Sequence, residues 1–322
     1  MEIHINFFSI DFEVGQPVPG LSLSSTKARS YFPALADSGL KFIDYGTISP
    51  QLPQDQLKIH NDNDLKKIEW QRYQLAYNKC LSLLNHSTPL LNWGGDHSIA
   101  LSTVGAFATH FKNEGYVLWI DAHADLNLPK SSLTGNFHGM PLAVLLNIDN
   151  IANESFPWLQ ETLDTNKLIY LGLRDLDPYE IDQIKKLRIK TFFYEDILEF
   201  GIVNVANEIH EITKGSPLHI SFDIDSTNPI YAPSTGVIAH EGLTPFDFYI
   251  LGEQLFRKSL IKSIDIVEVN PAIGNLDQVN LTYSTAFNFL ISIFSENYPG
   301  GLYDDMGERN QRKYYPQMER SL

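Results

Sequence analysis

The sequence predicts a doubly wound α/β fold. Short apolar runs alternate with longer stretches of helical periodicity along most of the 322 residues. Several of those runs are apolar throughout, the pattern of parallel strands covered on both faces. Prolines stand where helices would begin, and no repeat, low-complexity segment or linker divides the chain. A single domain over residues 1–322 is therefore expected, with a polar C-terminal extension from about residue 297.

The elements follow in order. Ile3–Phe8 reads as a strand, Glu13–Lys27 as a loop, Leu40–Tyr45 as a second strand and Gly46–Asp62 as another loop. From about Asp64 to Leu84 the residues Leu65, Ile68, Tyr73, Tyr77, Cys80, Leu81 and Leu84 fall near one stripe of a helix. Leu90–Trp93 and Val117–Ile120 are strands flanking a helix at Ile99–Phe111. Leu168–Leu171 and Thr191–Tyr194 flank a helix that opens on Pro178 and runs to Leu187. After a helix at Val203–Thr213 comes the strand Leu218–Phe222, then a helix at Pro245–Arg257, the strand Ile264–Val269 and a last helix at Val279–Phe294.

Composition excludes several classes. A formal net charge of -15 repels phosphate backbones and anionic lipid, so neither nucleic acid nor a membrane is an expected partner. One cysteine, Cys80, rules out an internal disulfide or a zinc-thiolate site, and its apolar surroundings suit a buried, inert thiol. Met1–Phe8 is too short and polar for a signal peptide, and Phe287–Phe294 is too short to span a bilayer. A cytoplasmic protein is the expectation.

Chemistry concentrates at strand ends. Asp121-Ala-His123-Ala-Asp125 directly follows Val117–Ile120, and residues two apart on extended chain project to the same side. Asp223-Ile-Asp225 follows Leu218–Phe222 in the same way, and Gly94-Gly-Asp96-His97 follows Leu90–Trp93. The C-terminal ends of strands are where open α/β sheets place their sites. Four carboxylates so gathered would repel one another unless cations joined them, and two divalent ions would balance their charge. Oxygen-rich ligands with imidazole suit manganese, although ligand type alone leaves zinc and cobalt open. A lone Asp after a strand is ordinarily a cap or turn residue, the reading given to Asp96 and Asp37. Isolated histidines are ordinarily satisfied surface or core residues, the reading given to His4, His60, His86, His110, His210 and His219. Three clusters, each at a strand exit, resist that explanation.

At these residues the chain resembles the ureohydrolases, the arginases, agmatinases and their relatives. The family's G-G-D-H, D-A-H-x-D and S-F-D-x-D stand here as Gly94–His97, Asp121–Asp125 and Ser221–Asp225, in order within a stretch from about Leu90 to Phe294. The resemblance implies a three-layer α/β/α sandwich around a parallel sheet and two Mn2+ per subunit. His97, Asp121, Asp125 and Asp223 would hold one ion, and His123, Asp121, Asp223 and Asp225 the other. Asn127-Leu-Pro-Lys-Ser-Ser-Leu-Thr134-Gly-Asn136-Phe-His138 looks like the arginase branch. There Asn127, Thr134 and Asn136 would receive the amino-acid end of L-arginine, with His138 as proton shuttle. Asp177 would meet the α-amino group with Glu180 close by, and Glu268 would face the guanidinium, which a carboxylate can bind through paired hydrogen bonds. Taken singly, Asn127 and Thr134 read as turn residues and Glu268 as an ion-pair partner.

The implied reaction is hydrolysis of L-arginine to L-ornithine and urea. A water shared by the two ions would be held as hydroxide, and Asp125 would relay a proton to the departing amine. Trimers or hexamers of the chain are expected by the same resemblance. Departures occur at Ser226-Thr227-Asn228-Pro229 (for G-L-D-P), at Val237 (for threonine) and at Glu241 (for glycine). They bear on substrate, so agmatinase, guanidino-acid hydrolase and formimidoylglutamase stand as alternatives. Further off stand a non-enzymatic binding protein, disfavoured by the intact ligand set, and a metal-dependent deacylase, which rests on analogy of fold.

Overall fold

The computed structural model describes residues 2–36, 38–49, 58–65 and 70–294. Its frame is one sheet of eight strands: β1 (Ile3–Ile10), β2 (Leu40–Ile48), β3 (Leu90–Gly94), β4 (Tyr116–Ile120), β5 (Leu168–Leu173), β6 (Lys190–Phe193), β7 (Pro217–Asp223) and β8 (Leu260–Val267). Their order is β2-β1-β3-β8-β7-β4-β5-β6, and every pairing is parallel.

Helices cover both faces, so the inner strands are buried on both sides, and the polar residues they carry, such as His219 and Asp265, are buried with them. Along β4, Val117 and Trp119 feed one apolar cluster with the Trp70–Leu84 and Ala100–Phe111 helices. Leu118 and Ile120 feed the other, with the Ile202–Thr213, Pro245–Gln254 and Leu276–Phe294 helices. This is a three-layer α/β/α sandwich, as expected. Adjacent strands β3, β8, β7 and β4 form its middle, so the loops leaving their C-terminal ends are neighbours in space although far apart in sequence.

All eight expected strands are present, with shifted ends. Tyr194 opens a helix, Tyr194–Phe200, in place of closing β6. There the Asp196 carboxylate accepts from the Phe193 amide 2.8 Å away, which caps a helix start. β8 ends at Val267 instead of Val269, since Glu268 adopts a left-handed φ of 62° that breaks the strand. The loop expected at Glu13–Lys27 contains a 3-10 turn, Leu21–Leu23, and the start of a helix, Ser24–Arg29. β2 continues through Gly46 to Ile48. The helix expected to reach Arg257 stops at Gln254 and gives way to a 3-10 turn, Phe256–Lys258. Tyr73, Tyr77, Cys80 and Leu84 are buried as their stripe predicts. Asp37, Ile68 and the C-terminal extension lie outside the described residues.

Candidate active site

Each strand end contributes through a different local device. At the end of β3 the backbone turns against the Phe12 segment so closely that a Cβ on Gly95 would stand 1.7 Å from the Phe12 carbonyl oxygen. Only glycine fits there. Asp96 then caps the following turn by accepting from the Ser98 amide at 3.0 Å, so its reading as a cap holds. The turn delivers His97, fully buried. At the end of β4, Asp121 and His123 leave the strand in succession, and Asp125 takes a left-handed φ of 49°. That conformation is uncommon for a residue with a side chain and concentrates at functional sites. From β7 come Asp223 and Asp225, the first accepting from the second's amide at 2.9 Å.

These side chains converge. His97 Nδ1 lies 3.1 Å from carboxylate oxygens of Asp121 and Asp125 and 3.2 Å from one of Asp223. Yet it makes no well-directed hydrogen bond with any of them. His123 Nδ1 lies 3.1 Å from Asp225 and 3.5 Å from Asp121. Two overlapping ligand groups result, His97–Asp121–Asp125 and Asp121–His123–Asp225, with Asp121 in both. Asp223 stands beside the first.

The electrostatics of this set fit divalent cations. Burial pushes Asp125 up to about 6, helped by the Asp121 charge, and pushes Asp223 well above the carboxylate range, helped by Asp225 and Asp121. Asp225 is raised by burial too. Burial opposes ionisation of Asp121 as well, but His123 and His97 outweigh it and hold that carboxyl low. Burial opposes protonation of both imidazoles, and the surrounding carboxylates outweigh it and raise them. Four carboxylates and two imidazoles are one acid-rich cluster with too little positive charge, and oxygen and imidazole donors suit a hard or borderline divalent metal.

Above the cluster lies a cavity of about 200 Å³. Its lining includes His123, Asp125, Asp223 and Asp225 below and Asn127, Ser132, Thr134, Asn136, His138, Asp175, Asp177, Glu180 and Val237 around it, with no lysine or arginine among the described residues. Asn127 Nδ2 donates to Asp177 Oδ2 at 2.9 Å. Thr134 Oγ1 accepts from the Asn136 amide at 3.2 Å, so the turn role and the cavity position coincide. Both oxygens of Glu180 are engaged by backbone amides at 3.1 Å, those of Leu126 and Asp177. Glu180 thus braces the turn that carries Asp125 and the helix start at Asp177. Burial pushes it up to about 7.

Glu268 does not line this cavity. It is 3% exposed, and its Oε1 accepts from the His97 amide and from His138 Nδ1, each at 2.9 Å. Its Oε2 is buried with no hydrogen-bond partner. Burial lowers His138, but the Glu268 carboxylate outweighs it and lifts the imidazole to about 9. Of the departures, Val237 lines the cavity whereas Ser226, Thr227 and Asn228 do not.

Three further residues went unassigned in the sequence. Trp119 stacks on the His97 ring at 3.9 Å and donates to Asp121 Oδ2 at 2.9 Å. Ser221 Oγ meets His97 Nε2 at 2.8 Å. Both stand two residues before a motif aspartate on the same strand, so the period of two was the available signal. Asp175, 3.6 Å from His123 Nε2, stands two residues before Asp177 and lines the cavity.

Fold and cluster together define an α/β enzyme built around side chains able to hold divalent metal. A model of the Arginase family matches residues 5–295. The chain is 34% identical over 261 residues to the hepatic arginase of Aquarana catesbeiana, covering 79% of this chain and 80% of that one. It is 30% identical over 307 residues to the mitochondrial arginase-2 of Bos taurus, covering 92% and 86%. Among solved structures, the arginase of Bacillus subtilis superposes with a TM-score of 0.77 at 29% identity, covering 90% of this chain and 97% of that one. The chain belongs to the arginase family and is a hydrolase. Among the described residues no helix is long and apolar enough to cross a membrane.

Proposed function

We propose that this protein hydrolyses L-arginine to L-ornithine and urea with two Mn2+ held by His97, Asp121, His123, Asp125, Asp223 and Asp225. The observation that carries this reading is the Asn127–His138 loop. It brings neutral hydrogen-bonding groups, Asn127, Thr134 and Asn136, to a cavity with six carboxylates in its wall, directly over the acid-rich cluster. A bare guanidinium needs only the carboxylates. An amino acid needs donors for its own carboxylate as well.

When bound, two divalent cations would balance the four aspartates and make a water nucleophilic near neutral pH. The remaining work falls to this chain's residues. The acidic wall draws in the cationic substrate, and the loop fixes its far end, which lowers the entropic cost of reaching the transition state. The guanidinium contact expected of Glu268 would fall to Oε2, because Oε1 is committed to His97 and His138, and it requires the substrate to reach below the cavity lining. Asp125 passes a proton to the departing amine. His138, tied through Nδ1 to Glu268, exchanges protons with solvent.

The test is urea release from Mn2+-loaded protein given L-arginine or agmatine at equal concentration. Turnover of arginine alone is expected. Turnover of agmatine in its place, or of neither, would reassign the substrate, turn attention to Val237 and extend the panel to other guanidino acids by urea release and to formimidoylglutamate by formamide release.

A further inference from the structure

No residue before about Asn85 received a role in the site from the sequence, yet one of them contacts a residue of the cavity wall. Lys58 and Asn136 form an isolated antiparallel bridge. Next to it the Ile59 amide donates to the Gly135 carbonyl at 2.8 Å, and the Ile59 side chain is fully buried in the core. Gly135 has a φ of +70°, and a Cβ there would stand 2.6 Å from the His60 ring. The 58–60 segment is therefore anchored from below and packed against the Thr134-Gly135-Asn136 turn. From that position Lys58 Nζ donates to Asn136 Oδ1.

This contact settles the orientation of an amide. An ammonium has donors and no acceptor, so the Asn136 atom it meets is the oxygen. The Nδ2 amino group is then what Asn136 has left to offer a ligand. Six carboxylates line the cavity, those of Asp125, Asp175, Asp177, Glu180, Asp223 and Asp225, and among the described residues no lysine or arginine does. A substrate anion entering such a site meets repulsion unless a cation stands nearby.

We propose that Lys58 is a specificity-determining residue. It holds the Asn136 amide with its donors toward the substrate and places a positive charge at the rim, so that the site prefers guanidino substrates carrying an α-carboxylate over their decarboxylated counterparts. The proposal rests on the reading of the cavity as a site for an amino-acid guanidine. Lys58 is exposed, so its replacement leaves the core intact.

The experiment compares Lys58→Met and Lys58→Arg with the wild type, all Mn2+-loaded, on L-arginine and on agmatine. Agmatine is read as a substrate or, if it is not turned over, as a competitive inhibitor. Lys58→Met should raise KM for arginine about tenfold with kcat changed less than about twofold, the size of one charge-assisted hydrogen bond. Agmatine should be unaffected, and Lys58→Arg should restore most of the preference. In an Asn136→Ala background the loss from Lys58→Met should shrink to less than about twofold, since the two residues act through one contact. An unchanged preference in Lys58→Met, or an equal loss on both ligands, overturns the proposal. Absence of urea release by the wild type would instead sink the functional reading. Calorimetric binding of L-ornithine against putrescine to the same variants then decides on Lys58 separately: a lost preference for ornithine in Lys58→Met supports it, and a retained one overturns it.

Discussion

Two buried clusters of acid and imidazole lie in the middle of the sheet, and they are built in opposite ways. Within the sheet, Asp265 of β8 accepts from Asn92 Nδ2 of β3 at 2.8 Å and from Thr103 Oγ1, and has His219 Nε2 of β7 at 3.2 Å. His219 in turn meets Ser263 Oγ through Nδ1 at 2.6 Å. One carboxylate there is surrounded by donors. At the C-terminal edge of the same strands, four carboxylates share two imidazoles. The lower cluster is removed from water, and the carboxylates of the upper one are buried, although His123 is partly exposed to the cavity. A buried polar network is stable when every member is satisfied, and the lower cluster comes closer to that state with protein atoms alone, although His219 Nε2 has no well-directed hydrogen bond there. The upper one cannot, which is the physical mark of a site completed by something that is not protein.

The largest break in this comparison should come from chelation. Removal of divalent metal should abolish urea release by more than about a thousandfold, worth about 4 kcal/mol in the barrier. Restored Mn2+ should recover it. Asp223→Ala should fail to recover it, with metal content per subunit falling in parallel by atomic absorption. A variant that kept full activity would show that Asp223 is no ligand.

Next in size is the lower cluster. Asp265→Ala strands Asn92 Nδ2, Thr103 Oγ1 and His219 in the core, and breaking a buried polar pair costs about 3–5 kcal/mol. Urea denaturation should show that loss while the folded fraction still binds metal. Cys80 should stay unreactive to thiol reagents in the native state. Its thiol is pushed well above the usual value by burial and then by the Asp265 charge.

A smaller and opposite effect is expected in the upper cluster. In chelated protein, Asp223→Asn removes one of four mutually repelling carboxylates, and the fold should gain about 1–2 kcal/mol. With Mn2+ present the sign should reverse, because a ligand is lost. Thermal melts with and without chelator read both signs in one variant. A loss of stability under both conditions would show that the surplus negative charge of the edge is already neutralised by protein groups.

The contrast also explains what the sequence could reveal. Motif aspartates and histidines stand out because a strand exit is an odd place to crowd charges, so His97, Asp121, His123, Asp125, Asp223 and Asp225 were all named in advance. The strands were equally legible, since runs such as Val117–Ile120 and Leu168–Leu171 are apolar throughout. The lower cluster was not. Asn92, Asp265 and His219 sit inside strand runs on three chain segments, and nothing local says that they meet. Trp119 and Ser221 were hidden for a related reason, since an indole and a hydroxyl within apolar runs read as packing. The position of Glu268 beneath the cavity depends on its left-handed backbone, which no neighbouring residue type announces. Lys58 reaches Asn136 across 78 positions, and only the folded chain closes that distance.

The smallest effect concerns the loop where the sequence departs from its relatives. Arg174 gathers that loop through backbone carbonyls. Its Nη2 donates to Asp225 O at 2.7 Å and Glu241 O at 3.1 Å, and its Nε to His240 O at 2.9 Å. So held, Glu241 takes a φ of 62°, a conformation that costs a side-chain-bearing residue about 1–2 kcal/mol relative to glycine. Glycine is the residue the family pattern carries there. Glu241→Gly relieves the strain but frees the unfolded chain, which offsets part of the gain. A net stabilisation of about 0.5–1 kcal/mol should remain, seen as a melting temperature about 2 °C higher by scanning calorimetry. No rise, or a fall, would mean that the exposed Glu241 side chain contributes as much as its backbone costs. The loop would then be adapted to glutamate, where the expectation here is that it merely tolerates it.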